Sequence, residues 1–322
     1  MTARAPDVTI PEAATPHEPI HARSSWELLW ARFVRDRAAV GGMAFIIVLV
    51  ALAILAPLIA RLVGHSPNEL FGSMLTPLGL PKGPNAHFWF GADQAGRDVF
   101  VRTLYGARTS LTVSVVGTGA ATVLGTITGS VAGYRGGWID TVISRFTDVL
   151  LSLPLLLFAI GLASVCSVSK SGCLGGVLQP GLSLVMAIIA LFTWPYMARI
   201  VRGQVIALKQ RDFVEAARAL GARDRRIMFI DLLPNLVAPI IVYATLTLPT
   251  NILFEASLSY LGVGVPQSTP SWGRMLSDAT SGSLFTYAWW MMLYPGLFLL
   301  LTTLAFNLLG DGLRDALLPE TR

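Results

Sequence analysis

Six stretches of mainly apolar residues, each about 20 residues long, alternate along the chain with polar or charged segments. A helix needs an apolar run of this length to cross the hydrocarbon core of a bilayer. The pattern therefore predicts an all-α, polytopic membrane protein with six transmembrane helices. The predicted spans are residues 38–60, 109–133, 142–165, 182–200, 234–254 and 288–309.

The segment before the first span, residues 24–37, has a different pattern. Its apolar residues recur at the three- and four-residue spacing of one helical face: Trp26, Leu29, Trp30, Phe33 and Val34. An amphipathic helix at the membrane interface is one interpretation, and a plain extension of the first span is the other. Residues 1–23 are polar and contain prolines without periodicity, which predicts a disordered tail.

A charged segment, residues 203–234, separates the fourth and fifth spans, and eight basic residues lie between Arg199 and Arg226. A helix is predicted there because four residues recur at helical spacing and form a face on which a partner could dock: Phe213, Ala216, Ala217 and Leu220. Gly221 is typical of a helix end, so we expect a helix, a tight turn and a short second helix at the membrane surface. The alternative is a basic surface loop that only follows membrane topology.

The composition agrees with a membrane protein. The chain of 322 residues is 53% hydrophobic and 13% charged, with a mean hydropathy of +0.62. A soluble protein of this length would carry about a quarter charged residues. The net charge of +5 does not indicate nucleic-acid binding, because the basic residues gather at the predicted span ends.

The distribution of lysine and arginine predicts the orientation. With the amino terminus inside, the inner segments hold 17 of these residues and the outer segments hold 7. Inner loops of membrane proteins carry the excess of positive charge. Both termini and residues 203–234 are therefore predicted to be cytoplasmic, and residues 64–108 are predicted to form an external loop.

The second predicted span carries small residues at every fourth position: Gly117, Ala121, Gly125, Gly129 and Gly133. Such a stripe lets another helix backbone approach closely, so we expect a tightly packed central helix. The alternative is that glycine is simply common in membrane helices.

The two cysteines, Cys166 and Cys173, lie seven positions apart in a polar segment that is predicted to be external. A disulfide is one interpretation, because the exterior is oxidising, and two unpaired thiols are the other. No histidine or carboxylate lies beside them, so no metal site is predicted.

No catalytic site or nucleotide site is visible. The phosphate-binding P-loop needs a glycine followed by lysine, and none of Lys82, Lys170 and Lys209 follows a glycine. No cofactor is therefore predicted on this chain. The energy for any transport would come from a partner or from an ion gradient.

A gradient-driven carrier would bury ionisable groups in the middle of the membrane, and the predicted span centres hold almost none. Arg145 and Asp148 lie one helical turn apart at the inner end of the third span and are predicted to pair. Glu255 lies near the outer end of the fifth span. It is interpreted either as lining the outer mouth of a path or as an interfacial carboxylate.

The charged segment resembles the cytoplasmic EAA loop of ABC-importer permeases, which contains E-A-A, three intervening residues, a glycine and then L-P. The matching residues are Glu215, Ala216, Ala217, Arg218, Gly221, Leu233 and Pro234. The resemblance implies that this loop sits in a groove of an ATPase subunit and transmits its movement to the membrane helices. Asp231 departs from the pattern, because many members have an aliphatic residue there.

Further motifs are similar to those of peptide and nickel importer permeases. They are F-G-A-D-Q-A-G-R-D at 90–98, G-A-R-T-S-L at 106–111, I-L-F-E-A-S-L-S-Y-L-G at 252–262, P-S-W-G at 270–273 and G-D-G-L-R-D-A-L at 310–317. Ala92 replaces the usual threonine. The resemblance covers most of the chain and is closest to the C-type permease subunit of the dipeptide and oligopeptide systems.

The resemblance implies a non-catalytic permease subunit in a bacterial inner membrane. Its expected partners are a second, homologous permease subunit, two ATPase domains that bind ATP and magnesium, an external binding protein and membrane lipid. The expected substrates are di- and oligopeptides. Nickel or another small solute remains an alternative, and a gradient-driven carrier or a membrane scaffold is an alternative of a different class.

The expected organisation is a tail (1–23), an amphipathic helix with the first span (24–63), an external loop (64–108), a transmembrane core (109–311) and a cytoplasmic tail (312–322).

Overall fold

The computed structural model of the chain describes residues 30–168, 173 and 181–317. The predicted tail 1–23 and the first part of the predicted amphipathic helix, 24–29, lie outside the described residues. Only the last turn of that helix, residues 30–33, is described. In this turn Phe33 packs against Ala39 and Ala316, while Trp30 is exposed.

The described part of the chain is built from helices, which confirms the all-α class. They are α1 (Arg37–Val63), α2 (Val99–Arg135), α3 (Gly137–Ser152), α4 (Leu155–Val168), α5 (Leu182–Lys209), α6 (Asp212–Ala219), α7 (Leu233–Tyr260), α8 (Trp272–Thr280) and α9 (Trp290–Leu317). A helical turn (Asp224–Arg226) and a π-helical turn (Ile227–Leu232) lead into α7, and short 3₁₀ turns occupy Gly72–Met74 and Ser281–Thr286.

The helices α1, α2, α5, α7 with its lead-in, and α9 are each long and apolar enough to cross a membrane, and α3 with α4 forms a sixth, bent candidate. The bend between α3 and α4 is 86°. At the bend Leu153 has an extended backbone and is followed by Pro154. A proline disfavours helical backbone in the residue before it, so the helix is interrupted at this point. The third predicted span, 142–165, is therefore a pair of helices with a sharp bend between them.

The helix α2 begins ten residues before the predicted start of its span. The side chain of Asp98 accepts hydrogen bonds from the backbone N–H groups of Phe100 at 2.8 Å and Val101 at 3.4 Å, so it caps the helix. Residues 99–108 are thus helical rather than loop. We call the end of the bundle that carries residues 64–98 and α8 the loop end, and the opposite end, which carries α6, the α6 end.

Among the described helices, α2 and α5 share the most extensive contact, and the glycines of the small-residue stripe of α2 lie in it. A Cβ atom added at Gly125 would lie 2.8 Å from the carbonyl oxygen of Trp194, and one at Gly133 would lie 2.8 Å from that of Arg202. Contacts this short do not occur, so glycine is what allows the two backbones to approach.

A buried polar contact joins three helices near the middle of the bundle. The Asn251 side chain on α7 donates to the Thr118 hydroxyl on α2 at 2.7 Å and accepts from the Thr193 hydroxyl on α5 at 3.1 Å. Because an unpaired amide in an apolar environment is costly, this contact fixes how α7 lies against the α2–α5 pair.

Candidate functional site

The helix α6 lies across the end of the bundle, and only one of its sides packs against the other helices. Val214 is fully buried and packs in a cluster with Val205, Ile227 and Leu232, while Ala217 is half-buried against the same cluster. The other side is open, and its residues Phe213, Glu215, Ala216, Arg218 and Leu220 are exposed. Leu220 is 88% exposed. Three of the four predicted face residues therefore point outward, and Ala217 points inward.

Gly221 ends α6 in the way its sequence predicts. Its φ is +78°, in the left-handed region that favours glycine. Its N–H donates to the Arg218 carbonyl at 2.9 Å, and the N–H of Ala222 donates to the Ala217 carbonyl at 3.0 Å. This pair of hydrogen bonds is a Schellman motif, which turns the chain sharply and leaves Gly221 exposed at the tip.

The chain then returns to the membrane through the π-helical turn Ile227–Leu232. At its end the Leu233 N–H donates to the Met228 carbonyl, five residues back, and Pro234 has no N–H to donate. The Asn235 side chain donates to the carbonyl of Asp231 at 2.7 Å. Leu233 and Pro234 thus mark the point where the wide π turn becomes the α-helix of α7.

The returning segment is also tied to the end of α2. The Tyr134 hydroxyl donates to the Asp224 carboxylate at 2.6 Å, and Lys209 Nζ donates to the Tyr134 carbonyl at 2.7 Å. Residues 209–224 are therefore connected both to α7, through the chain itself, and to α2, through Tyr134. A displacement of α6 would act on both helices.

We expect Tyr134→Phe to loosen this connection. The change removes one hydrogen bond, worth about 1 kcal/mol, so amide hydrogen exchange in residues 212–226 should become about fivefold faster. Hydrogen-exchange mass spectrometry measures this directly. Tyr196→Phe is the control, because the Tyr196 side chain is exposed on α5 and forms no hydrogen bond with the described residues. Equal exchange in both variants would contradict the role of Tyr134.

Two ion pairs join α3 to α5 near the same end. Arg202 Nη2 lies 2.7 Å from Asp140 Oδ2, and Arg199 Nη2 lies 2.6 Å from Asp148 Oδ1. The predicted pairing of Asp148 with Arg145 on its own helix is therefore wrong. The close approach of α5 to α2 places Arg199 within reach of α3, which sequence spacing alone could not indicate.

The F-G-A-D-Q-A-G-R-D segment lies at the loop end, in a buried ionic cluster. Arg97 Nε lies 2.6 Å from Asp93 Oδ2, and Arg97 Nη2 lies 3.3 Å from Asp278 Oδ2 on α8. Burial raises the pKa of the Asp278 carboxyl, while the nearby Arg274 and Arg97 oppose that rise. The cluster fastens residues 64–98 to α8, and it stands at the opposite end of the bundle from α6.

Glu255 lies in the interior at the loop end. Its carboxylate is fully buried and accepts hydrogen bonds from the hydroxyls of Ser110 at 2.7 Å and Ser259 at 2.8 Å. It therefore ties α7 to α2 in this conformation. An outer-mouth role would require an opening that the described residues do not show here, and it stays a prediction.

The sulfur atoms of Cys166 and Cys173 are bonded to each other. Cys166 is buried at the end of α4, in a cluster with Leu184, Ile188 and Leu258. The bond therefore holds residue 173 against the helices at the loop end.

Sequence reasoning missed Val214, Tyr134 and Asn251. Val214 is one apolar residue among many, and only its neighbours in space make it the anchor of α6. The sequence gives only a weak indication of the role of Tyr134, because an aromatic residue with a polar tip is common at the end of a membrane span. The indication for Asn251 is stronger, because an amide inside an apolar run needs a hydrogen-bond partner on another helix.

Two family models match the chain. Residues 125–322 match the binding-protein-dependent transport system inner membrane component, and residues 24–77 match the N-terminal transmembrane domain of oligopeptide transport permease C.

The chain is also similar to permeases named for three transport systems. It is 38% identical to the dipeptide transport system permease protein DppC of Alkalihalophilus pseudofirmus, with 97% of this chain and 95% of that protein covered. It is 39% identical to the oligopeptide transport system permease protein OppC of Bacillus subtilis, with 93% and 91% covered. It is 38% identical to the glutathione transport system permease protein GsiD of Escherichia coli, with 95% and 94% covered.

A solved structure shares the fold. It is an inward-facing conformation of the MetNI methionine ABC transporter, which matches with a TM-score of 0.51 and 21% identity over 68% of this chain and 96% of that chain.

Proposed function

This chain belongs to the family of binding-protein-dependent transport system inner membrane components, and we propose that it forms, with a second permease subunit, the path by which an ATP-driven importer carries di- and oligopeptides. It is a multi-pass inner-membrane subunit of an ABC importer. The peptide substrate is supported by its similarity to permeases named for dipeptides, oligopeptides and glutathione.

The observation that carries the coupling role is the exposed side of α6. This short helix is anchored through Val214, ends in a rigid turn at Gly221 and leaves an apolar residue, Leu220, almost fully exposed. Phe213, Ala216 and Leu220 are exposed together at helical spacing on this side, and a group of neighbouring exposed apolar residues indicates an interaction surface. We assign this side as the docking surface for an ATPase subunit.

In the proposed mechanism the chain supplies movement but no chemistry. When two ATPase domains close on ATP, they displace α6 and the Gly221 turn. Tyr134 carries the displacement to α2, and the π-helical turn carries it to α7. Because α2 and α5 are packed backbone to backbone, they move together, and the cavity between the two permease subunits changes the side to which it opens.

The proposed topology places the α6 end, with both termini, in the cytoplasm and the loop end outside. The lysine and arginine distribution supports this orientation. An external binding protein would then deliver peptide at the loop end, where the buried ionic cluster holds residues 64–98 in place.

Affinity purification of the tagged chain in a mild detergent, with mass spectrometry, tests the assembly. We expect a second six-span permease, one or two P-loop ATPases and, after crosslinking, a substrate-binding protein. A chain that still purifies alone after crosslinking would contradict the proposal and favour a gradient-driven carrier or a scaffold.

A further inference from the structure

Two open clefts, called chambers below, follow one another along the seam between α1 and α2. The first has a volume of about 470 Å³ and mostly apolar walls, with Val50 and Ile54 on one side and Leu111 and Val116 on the other. It opens at an apolar surface of the bundle, on which Ile54 and Val116 are exposed.

The second cleft, of about 420 Å³, lies toward the loop end and is more polar than the first. Its walls include Arg61, His65, Glu69 and Tyr105. The two clefts share the same seam, because Tyr105 lies one helical turn from Arg108 in the wall of the first cleft. Along the seam an apolar chamber is therefore followed by an arginine and then by a polar chamber.

Arg108 stands at the boundary between the two chambers, and its side chain is exposed. Among the residues that the structure describes, no carboxylate pairs with Arg108 or with Arg61. An arginine at the edge of the hydrocarbon region is costly unless an anion or the interface satisfies it. Its planar guanidinium can bind the oxygens of a phosphate through two parallel hydrogen bonds.

We propose that this seam binds one glycerophospholipid of the adjacent leaflet. Its phosphate contacts Arg108, one acyl chain lies in the apolar chamber, and its headgroup enters the polar chamber. The dimensions agree with this assignment. Arg108 and Val116 are eight residues apart on α2, about 12 Å, which is close to the ~15 Å depth of hydrocarbon in one leaflet.

The polar chamber also fits the headgroup. Glu69 lines it and is exposed, with one carboxylate oxygen 3.0 Å from the N–H of Ser66. The other oxygen of the Glu69 carboxylate can accept a hydrogen bond from the amine of a lipid headgroup. The favoured ligand is therefore a phospholipid with an amine in its headgroup, such as phosphatidylethanolamine.

A lipid suits this seam better than a protein helix does. Outside the chamber walls α1 carries further exposed apolar residues, Ile47, Leu55, Leu58 and Leu62, as a helix at the periphery of a membrane bundle does. The apolar chamber is walled by α1 and α2 alone, and the polar chamber adds residues of the segment that follows α1, among them His65 and Glu69. An unpaired cation between an apolar and a polar chamber matches the order of tail, phosphate and headgroup in a lipid.

Native mass spectrometry of the purified full-length chain, with whatever subunits accompany it, tests the proposal. The probes are phosphatidylethanolamine and diacylglycerol, which has the same acyl chains but no phosphate. We expect the wild-type protein to bind one phosphatidylethanolamine about tenfold more tightly than diacylglycerol. Arg108→Gln should abolish this preference, and Val116→Trp should block both probes by filling the apolar chamber.

Two matched control variants distinguish lipid binding at the seam from nonspecific lipid binding elsewhere on the protein. Arg135→Gln removes another exposed arginine of α2, at its opposite end, and Val123→Trp adds bulk at another exposed position of the same helix. Both should bind lipid as the wild type does. The proposal is overturned if Arg108→Gln keeps the preference for the phosphate, if the controls lose it equally, or if a cysteine at position 116 crosslinks to a partner subunit instead of remaining accessible to lipid.

Discussion

Gly221→Pro is expected to reduce ATP-driven uptake to background while the protein still inserts in the membrane. Proline holds φ near −65°, whereas residue 221 has a φ of +78°, and proline also lacks the N–H that donates to Arg218. The turn after α6 must therefore rearrange, and the docking surface is lost. The measurement is uptake of a labelled dipeptide, together with ATP hydrolysis, in vesicles that contain the assembled importer.

Gly221→Asn is the matched control for this change. Asparagine tolerates the left-handed conformation and keeps the backbone N–H, and a Cβ at this position meets no atom within 4 Å. It should retain most of the uptake. Glu215→Lys, which reverses a charge on the exposed side of α6, should uncouple uptake from hydrolysis as Gly221→Pro does. Normal uptake in both Gly221→Pro and Glu215→Lys would rule out a coupling role for this loop.

Gly129→Val is expected to disrupt the packing of α2 against α5. A Cβ at residue 129 would press on the carbonyl oxygen of Ala198 and would lie 3.0 Å from the Val201 side chain, so the two helices would have to separate. Overpacking of this kind costs about 1–3 kcal/mol, and here the obstacle is backbone that cannot rotate away. The assembled fraction and its midpoint of thermal unfolding, followed by size-exclusion chromatography after heating, should both fall.

Gly119→Val tests whether the loss of stability expected for Gly129→Val depends on the small-residue stripe of α2 or follows from replacing any glycine of this helix. Gly119 lies on the same helix and is exposed, and a Cβ atom added there would meet no atom within 4 Å. Its substitution should change stability by less than about 0.5 kcal/mol. If the two variants were equally stable, the close approach of α2 to α5 would not be what holds these helices together.

The sequence predicts the membrane helices well because an apolar run of about 20 residues has few other structures available to it. It does not show whether such a run is straight. The break at Pro154 depends on how α3 and α4 pack, and prolines inside α5, α7 and α9 leave those helices unbroken. The start of α2 is hidden in the sequence for a similar reason, since residues 99–108 are helical without being apolar enough to resemble a span.

The candidate site likewise contains features that the sequence predicts and features that it does not. Gly221 could be predicted because its requirement is local, a left-handed turn after a helix. The contact between Tyr134 and Asp224 could not, because 90 positions separate the two residues and only the packing of α2, α5 and α7 brings them together. The outer-mouth interpretation of Glu255 rests on its depth along the helix, which does not indicate the side of the helix on which a residue lies.

Site-directed crosslinking tests the central claim, that the exposed side of α6 docks on an ATPase subunit. One variant carries Leu220→Cys at the Gly221 turn, and the other carries Leu78→Cys, which is 86% exposed at the loop end. We expect Leu220→Cys to crosslink to a P-loop ATPase in the assembled complex, with a yield that changes when ATP is added, and Leu78→Cys to give no such product. An ATPase captured from position 78, or none captured from position 220, would contradict the account.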